Sequence, residues 1–398
     1  MNDDFPSFPG ARPSACPFDP PPEYAGWREA DGLQRVRLSD GSLAWAISRY
    51  DDIRAALGDP RISADDRDPN LPLSAAALSR PPAFPRMDDP EHARHRRMLI
   101  KDFTLRRING LRPRIQEIVD GFLEEMTAKG PPADLVRDFA LPVPSLVISL
   151  LLGVPYEDHE FFQRNSGVLV NPLCSEQDKT QASVALFTYL LELVERRRSE
   201  PGDDIVSRLA RERIAAGELT AQEAAMSGMT LLVAGHETTA KMISLGTLAL
   251  LWHPDRLAAL RDTGDPAVVA NAVDELLRYI TLAENLIVRV AAEDVEIGGR
   301  LIRAGDGIIL NLLSGNHDPS AFPDPDALDL GRNARGHVAF GYGIHQCLGQ
   351  PLARAELEIA LPALLRRLPG LRLTIPLEQV ELRPDLSRYP SELPIAWG

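Results

Sequence analysis

The stretch Phe340-Gly341-Tyr342-Gly343-Ile344-His345-Gln346-Cys347-Leu348-Gly349 decides the reading of this 398-residue chain. Two glycines at alternate positions permit a tight turn and let the backbone approach a flat ligand closely. Cys347 follows where the loop enters a helix, and the free amides and dipole of a helix start favour a thiolate. A lone cysteine beside a glycine turn is most often a small buried hydrophobe. The ten-residue pattern as a whole argues for a ligand.

Composition sets the bounds around this loop. A hydrophobic share of 44% supports a sizeable core. A net charge of −14 argues against bulk nucleic-acid binding, which needs a basic footprint. Cys16, Cys174 and Cys347 are too few and too dispersed for a disulfide framework and fit a reduced cytoplasm. The start, MNDDFPSFPG, is acidic and proline-broken, unlike a secretory signal. The longest apolar stretch, around Leu141–Leu152, contains Pro142 and Pro144 and is too short to span a bilayer. The expectation is a soluble, cytoplasmic protein with no membrane or nucleic-acid partner.

Residues 1–22 carry seven prolines and predict an irregular arm lying over something else. Leu33 to Tyr50 reads as a hairpin turning at Asp40-Gly41, and 60–90 as a long loop. From Glu91 to about Arg261 the pattern is helical, with a buried helix over Leu135–Leu152. Thr220-x-x-Glu223 is a capping box opening a helix that runs to about Trp252, before Pro254. Such a helix is about 50 Å long at 1.5 Å per residue. A helix over 266–279, a strand-rich patch at 286–310 turning at Gly298-Gly299, loops over 314–346 and a final helix starting near Cys347 complete a mainly α chain with a small β-rich region.

Three further groups stand out. Glu275 and Arg278 share a helix face, a spacing that alone usually marks a surface pair. Gly235, inside the long helix at Ala234-Gly235-His236-Glu237-Thr238-Thr239, costs about 1 kcal/mol relative to alanine. Room for a groove holding water or dioxygen is the expected reason, and a threonine hydroxyl there can bond back to a carbonyl. His92 and Arg96 stand at i and i+4, although the run Arg94-His95-Arg96-Arg97 also suits a solvated face.

With the cysteine loop, these groups resemble the cytochrome P450 family, of the bacterial, actinobacterial type, from about residue 16 to residue 397. The resemblance implies the cytochrome P450 fold in one catalytic domain over 1–398. Haem b would lie between the long central helix and the Cys-loop helix, with Cys347 as the iron ligand through a strongly electron-donating thiolate. It implies that His92, Arg96, Arg289 and His345 bind the haem propionates. Glu237 would relay protons and Thr238 would donate a hydrogen bond to dioxygen. Glu275, Arg278 and Arg332 would form a buried structural network behind the haem.

The substrate pocket is expected to use Thr230, Val233, Ala234, Leu286 and Ile287. Loops 64–88 (with Leu71, Leu73, Phe84 and Met87) and 168–178 (with Val168, Leu169, Pro172 and Leu173) would cover it. His236 should pack aside, and Lys241, where small or polar residues are usual, should point away from the haem. His317 stands where arginine is usual. The activity implied is insertion of one oxygen atom into a macrolide, sterol-like compound or other secondary metabolite, with electrons from a separate ferredoxin and ferredoxin reductase. Arg97, Arg106, Arg107 and Arg354 are candidates for the ferredoxin patch. The alternative is a haem-thiolate binding or recruitment module without turnover, which would have no use for a Glu237-Thr238 relay.

Overall fold

The computed structural model describes residues 5–13, 16–72, 83–171, 173–283, 287–382 and 389–398. In chain order its helices begin with α1 (Glu23–Glu29), α2 (Tyr50–Gly58), α3 (Glu91–Leu99), α4 (Leu105–Lys129) and α5 (Pro142–Leu152). They continue with α6 (His159–Val170), α7 (Glu176–Ser199), α8 (Ile205–Arg208), α9 (Ala221–Trp252), α10 (Pro254–Asp262) and α11 (Pro266–Ile280). The last two are α12 (Leu312–Asn316) and α13 (Gln350–Arg367). No helix among the described residues is long and apolar enough to cross a membrane. The chain forms two compact units, Met1–Ala93 with Ala270–Leu348, and Arg94–Val269 with Gly349–Gly398.

The first unit holds a five-stranded sheet. Its strands are β1 (Leu33–Arg37), β2 (Leu43–Ile47), β3 (Ile62–Ser63), β5 (Val288–Ala291) and β8 (Gly307–Leu310), in the order β1-β2-β8-β5-β3. (A short strand β4, Ala133–Asp134, belongs to the second unit.) The β1–β2 hairpin is antiparallel, as expected, and β2 runs parallel to β8. Side chains alternate along a strand, so β2 feeds two cores. Ala44 and Ala46 join Phe8, Tyr24 and Val290, while Trp45 and Ile47 join Ile53, Ile308 and Val338. A separate hairpin pairs β6 (Val295–Ile297) with β7 (Arg300–Ile302), and Gly298 and Gly299 both take positive φ at its turn.

The described part of the N-terminal arm is irregular and packed. The Phe8 amide donates to the Arg37 carbonyl at 2.9 Å, and Phe18 lies against Tyr279. Leu71, expected in a pocket lid, is instead buried in the core with Phe8 and Tyr24. Phe84 and Met87 are also buried. Leu73 lies outside the described residues.

The second unit is nearly all helix, with a small sheet of β4, β10 (Pro394–Ala396) and β9 (Arg372–Leu373). Its axis is α9, whose capping box is complete: Thr220 Oγ1 accepts from the Glu223 amide, and Glu223 accepts from the Thr220 amide. Every residue from Thr239 to Leu250 is buried, so the C-terminal half of α9 is core on all sides. The long-helix expectation holds to within a residue.

Three expected boundaries shift. The Leu135–Leu152 segment is a π-helical turn over Val136–Ala140 followed by α5, because Pro142 and Pro144 fit only the first turn of a new helix. Segment 168–178 is only partly a loop: α6 runs to Val170 and α7 starts at Glu176, where Ser175 caps it by accepting from the Asp178 amide, and Pro172 lies outside the described residues. The last helix starts at Gln350, three residues beyond Cys347, and α12 interrupts the 314–346 loops.

Gly235 also has a different reason from the one expected. A Cβ at this position would stand 2.9 Å from Cγ1 and Cδ1 of Ile148 on α5, so the missing side chain admits a neighbouring helix, not a water-filled groove. Gly235→Val should therefore destabilise the protein by about 1–3 kcal/mol through overpacking. Adding Ile148→Ala should recover part of that loss in a denaturant melt. Additive losses in the double variant would show that the two residues do not compete for this space.

Candidate active site

The Cys347 loop is held by its own backbone. Gly341 and Gly343 take φ of +70° and +74°, the left-handed region that glycine enters without strain. At Gly343 a Cβ would also lie 2.7 Å from the Leu57 carbonyl oxygen at the end of α2, so the loop runs against that helix with no space for a side chain. At Gly341 nothing lies within 4 Å of that position. The Cys347 amide donates to the Phe340 carbonyl at 2.9 Å and closes the loop. Cys347 itself is exposed.

Behind the loop, Glu275 and Arg278 on α11 are both fully buried and joined by two bonds of 2.7 and 2.9 Å. Glu275 Oε1 also accepts from the Asp329 amide and from Arg332 Nε at 3.1 Å, so the expected three-residue network is present. The spacing did not reveal Asn316. Its carbonyl accepts from Arg278 at 2.7 Å, and its side-chain oxygen accepts from the Val338 amide at 2.8 Å, two residues before Phe340. Asn316 thus connects the ion pair to the cysteine loop. His317 beside it is fully buried and makes no ion pair among the described residues: Nδ1 lies 3.0 Å from the Leu313 carbonyl, and burial holds its pKa down near 3.

Three of the four expected propionate ligands lie in the first unit. The His92 and His345 rings are 4.3 Å apart, and His92 Nδ1 faces Asp89 at 3.3 Å. Arg289, on β5, is 8% exposed and donates to the Val288 carbonyl. Among the described residues it has no carboxylate within salt-bridge distance, and burial lowers its pKa to about 10. A buried guanidinium is costly without an anion. Arg96 follows His92 by one turn of α3 and belongs to the second unit.

On α9, Thr230 and Val233 are half-buried while Ala234 and Thr238 are exposed, a spacing that sets them on one accessible face. Thr238 Oγ1 donates to the Ala234 carbonyl at 2.7 Å. In this rotamer its outward side offers an acceptor, where the sequence led us to expect a donor. Thr239, one position on, is buried. His236 packs aside as expected. It is held between the Leu232 carbonyl at 2.7 Å and Ser166 Oγ at 2.9 Å. Lys241 lies one turn from Glu237 with its Nζ 3.6 Å from Oε2, and both side chains are buried. Ile287 packs partly buried against the first unit's core, and Leu286 lies outside the described residues.

Among the described residues no cluster of three or more His, Cys, Asp or Glu side chains could hold a metal ion. An iron bound at Cys347 would need its other ligands from a cofactor. The cytochrome P450 family model matches residues 42–384. The chain belongs to the cytochrome P450 family. It is 49% identical to cytochrome P450-SU2 of Streptomyces griseolus, over 98% of this chain and 97% of the relative. It is 48% identical to the vitamin D3 dihydroxylase of the same organism, over 99% and 97%. The crystal structure of GfsF superposes with a TM-score of 0.93 at 48% identity, covering 98% of this chain and all of that one. The fold is the cytochrome P450 fold, the cofactor is haem b, and the chain is a monooxygenase of that family. The residues present fit the haem: an exposed cysteine on a loop closed by its own amide, and a buried arginine with no carboxylate within salt-bridge distance among the described residues.

Burial holds the His236 pKa near 4, below the ordinary value of about 6.5. Between those two pH values the unfolded chain takes up a proton that folded His236 refuses, so stability falls as pH drops. For this site the loss approaches about 1.4 kcal/mol per pH unit. His236→Gln should flatten the slope of unfolding free energy between pH 6.5 and 4.5. An unchanged slope would mean His236 is not held neutral.

Proposed function

We propose that this cytochrome P450 inserts one oxygen atom from dioxygen into a large apolar small molecule of the macrolide, sterol-like or other secondary-metabolite kind. Cys347 is its iron ligand, and its electrons come from a separate ferredoxin and ferredoxin reductase. The cysteine loop carries this reading: the 340–347 hydrogen bond presents an accessible sulfur, with Gly341 open beside it. The whole chain, 1–398, acts as one catalytic domain in the cytoplasm. The vitamin D3 dihydroxylase among its relatives supports the large apolar substrate class.

Haem b bound through a thiolate supplies the reductive activation of dioxygen. His92, Arg96, Arg289 and His345 contribute donors to its two carboxylates, and for Arg289 this gives a buried cation a carboxylate within bonding distance. Thr230, Val233 and Ala234 present the accessible face of α9 to the substrate. Thr238, bonded back to Ala234, accepts a hydrogen bond from a water or a protonated oxygen on its outward side. Glu237 moves protons in from solvent. Arg97, Arg106 and Arg107 are exposed and Arg354 half-buried; they offer an acidic ferredoxin a basic patch on a chain of net charge −14.

Reduced protein under carbon monoxide should show the absorption of a thiolate-ligated haem, and Cys347→His should move it to a histidine-like position. An unchanged spectrum in that variant would remove Cys347 as ligand. Thr238→Ala should keep haem and substrate binding while NAD(P)H is diverted to hydrogen peroxide, so product per NAD(P)H falls far more than consumption. Thr239→Ala, on the buried side, should not uncouple; full coupling in Thr238→Ala would place the proton path elsewhere. Reversing charge at two of the four arginines should slow ferredoxin reduction and weaken its salt dependence, leaving substrate affinity alone.

A further inference from the structure

Lys241 is buried, and it faces two groups of the second unit. Its Nζ stands 3.6 Å from Glu237 Oε2 and 4.3 Å from the centre of the Tyr389 ring. Glutamate one turn before lysine is the favourable order on a helix, and an ammonium over a phenol ring gains cation–π stabilisation. The other carboxylate oxygen of Glu237 faces the backbone of α6, where a Cβ at Gly167 would lie 3.9 Å away. The Glu237 carboxylate thus has a cation beside one oxygen and the backbone of α6 at Gly167 near the other.

We infer that Lys241 is a positioning residue for oxygen activation: it holds Glu237 as an aimed carboxylate and stabilises the anion left after each proton is passed on. The inference rests on the reading of Glu237 as the proton relay. Buried carboxyls without a counter-charge favour their neutral form. Such an acid would hold its proton, because releasing it would leave an unpaired buried anion. With Lys241 in place, Glu237 takes one proton from solvent water, passes one to the oxygen being reduced, and returns to an ion-paired carboxylate. The proton count balances over the cycle, and the electrons are those of the established reaction. Tyr389 limits where the ammonium can go.

The test uses the full-length haem-loaded enzyme with a reductase system and any compound that shifts its haem spectrum and is oxidised. Lys241→Met should lower product per NADH by about fivefold, with peroxide rising, a smaller loss than the roughly hundredfold or more that removing a proton-transfer group costs. Lys241→Arg, which keeps the charge, should stay within about twofold of the parent. Glu237→Gln should uncouple by itself, and Lys241→Met should add nothing in that background. If Lys241→Met loads haem poorly, Lys241→Gln, which keeps a donor but not the charge, should uncouple equally. Full coupling in the neutral 241 variants beside an uncoupled Glu237→Gln overturns the role of Lys241 and leaves the relay intact. Equal further loss from Lys241→Met in the Glu237→Gln background would mean that it acts structurally, which also overturns the inference. A fully coupled Glu237→Gln removes the relay and the inference together.

Discussion

The guanidinium of Arg278 organises the first unit around the cysteine loop. It is the largest fully buried side chain of the protein's described core, and its donors serve Glu275 and the carbonyls of Asn316, Pro325 and Ala327. A buried ion pair is weak evidence for stability, since desolvation offsets much of the attraction. What this pair achieves is placement. The carbonyls it binds lie at the last residue of α12 and in the irregular segment that follows it, and a buried carbonyl needs a donor. One rigid fork therefore fixes the end of α12 and the loop after it, and Asn316 extends that control to Val338 and the turn leading to Cys347.

The second unit depends on a different economy of polar groups. Along α9 the hydroxyls of Ser227, Thr230, Thr238, Ser244 and Thr247 all donate to the carbonyl four residues earlier. This satisfies each hydroxyl without an external partner, so one long helix can be core over its second half. Just before that buried stretch the same bonding leaves Thr238 oriented at an accessible face. His236 and Glu237, next to it in sequence, turn inward instead, one to Ser166 and the other to Lys241.

Features with a local cause were legible in the sequence. The capping box at Thr220, the Gly298-Gly299 turn, the β1–β2 hairpin and the glycines of the cysteine loop each follow from backbone chemistry within a few residues. The family resemblance added the Glu275–Arg278–Arg332 network, which spacing alone would have assigned to the surface. Contacts between distant segments were not legible. Ser166 is seventy positions from His236, and nothing near Gly235 announces Ile148. Lys241 was noticed as unusual, yet the expectation that it points away missed its partner one turn back. Leu71 looked like a lid residue because its neighbours are loop-forming, although its own apolar side chain had a core to enter.

The alternation within the cysteine loop has a bearing on how such a chain diversifies. Gly341 and Gly343 set the path of the backbone, while Tyr342 and Ile344 between and after them are exposed at 38% and 51%. Tyr342 carries the Arg54 guanidinium over its ring at 4.4 Å, so that part of the exterior is shaped by an exchangeable surface contact. The determinants of where the sulfur sits are thus separate from what the loop displays outside. Substitution at 342, 344 and 54 can change the outer face while the backbone path to Cys347 is inherited unchanged, a division that lets one scaffold be resurfaced without being refolded.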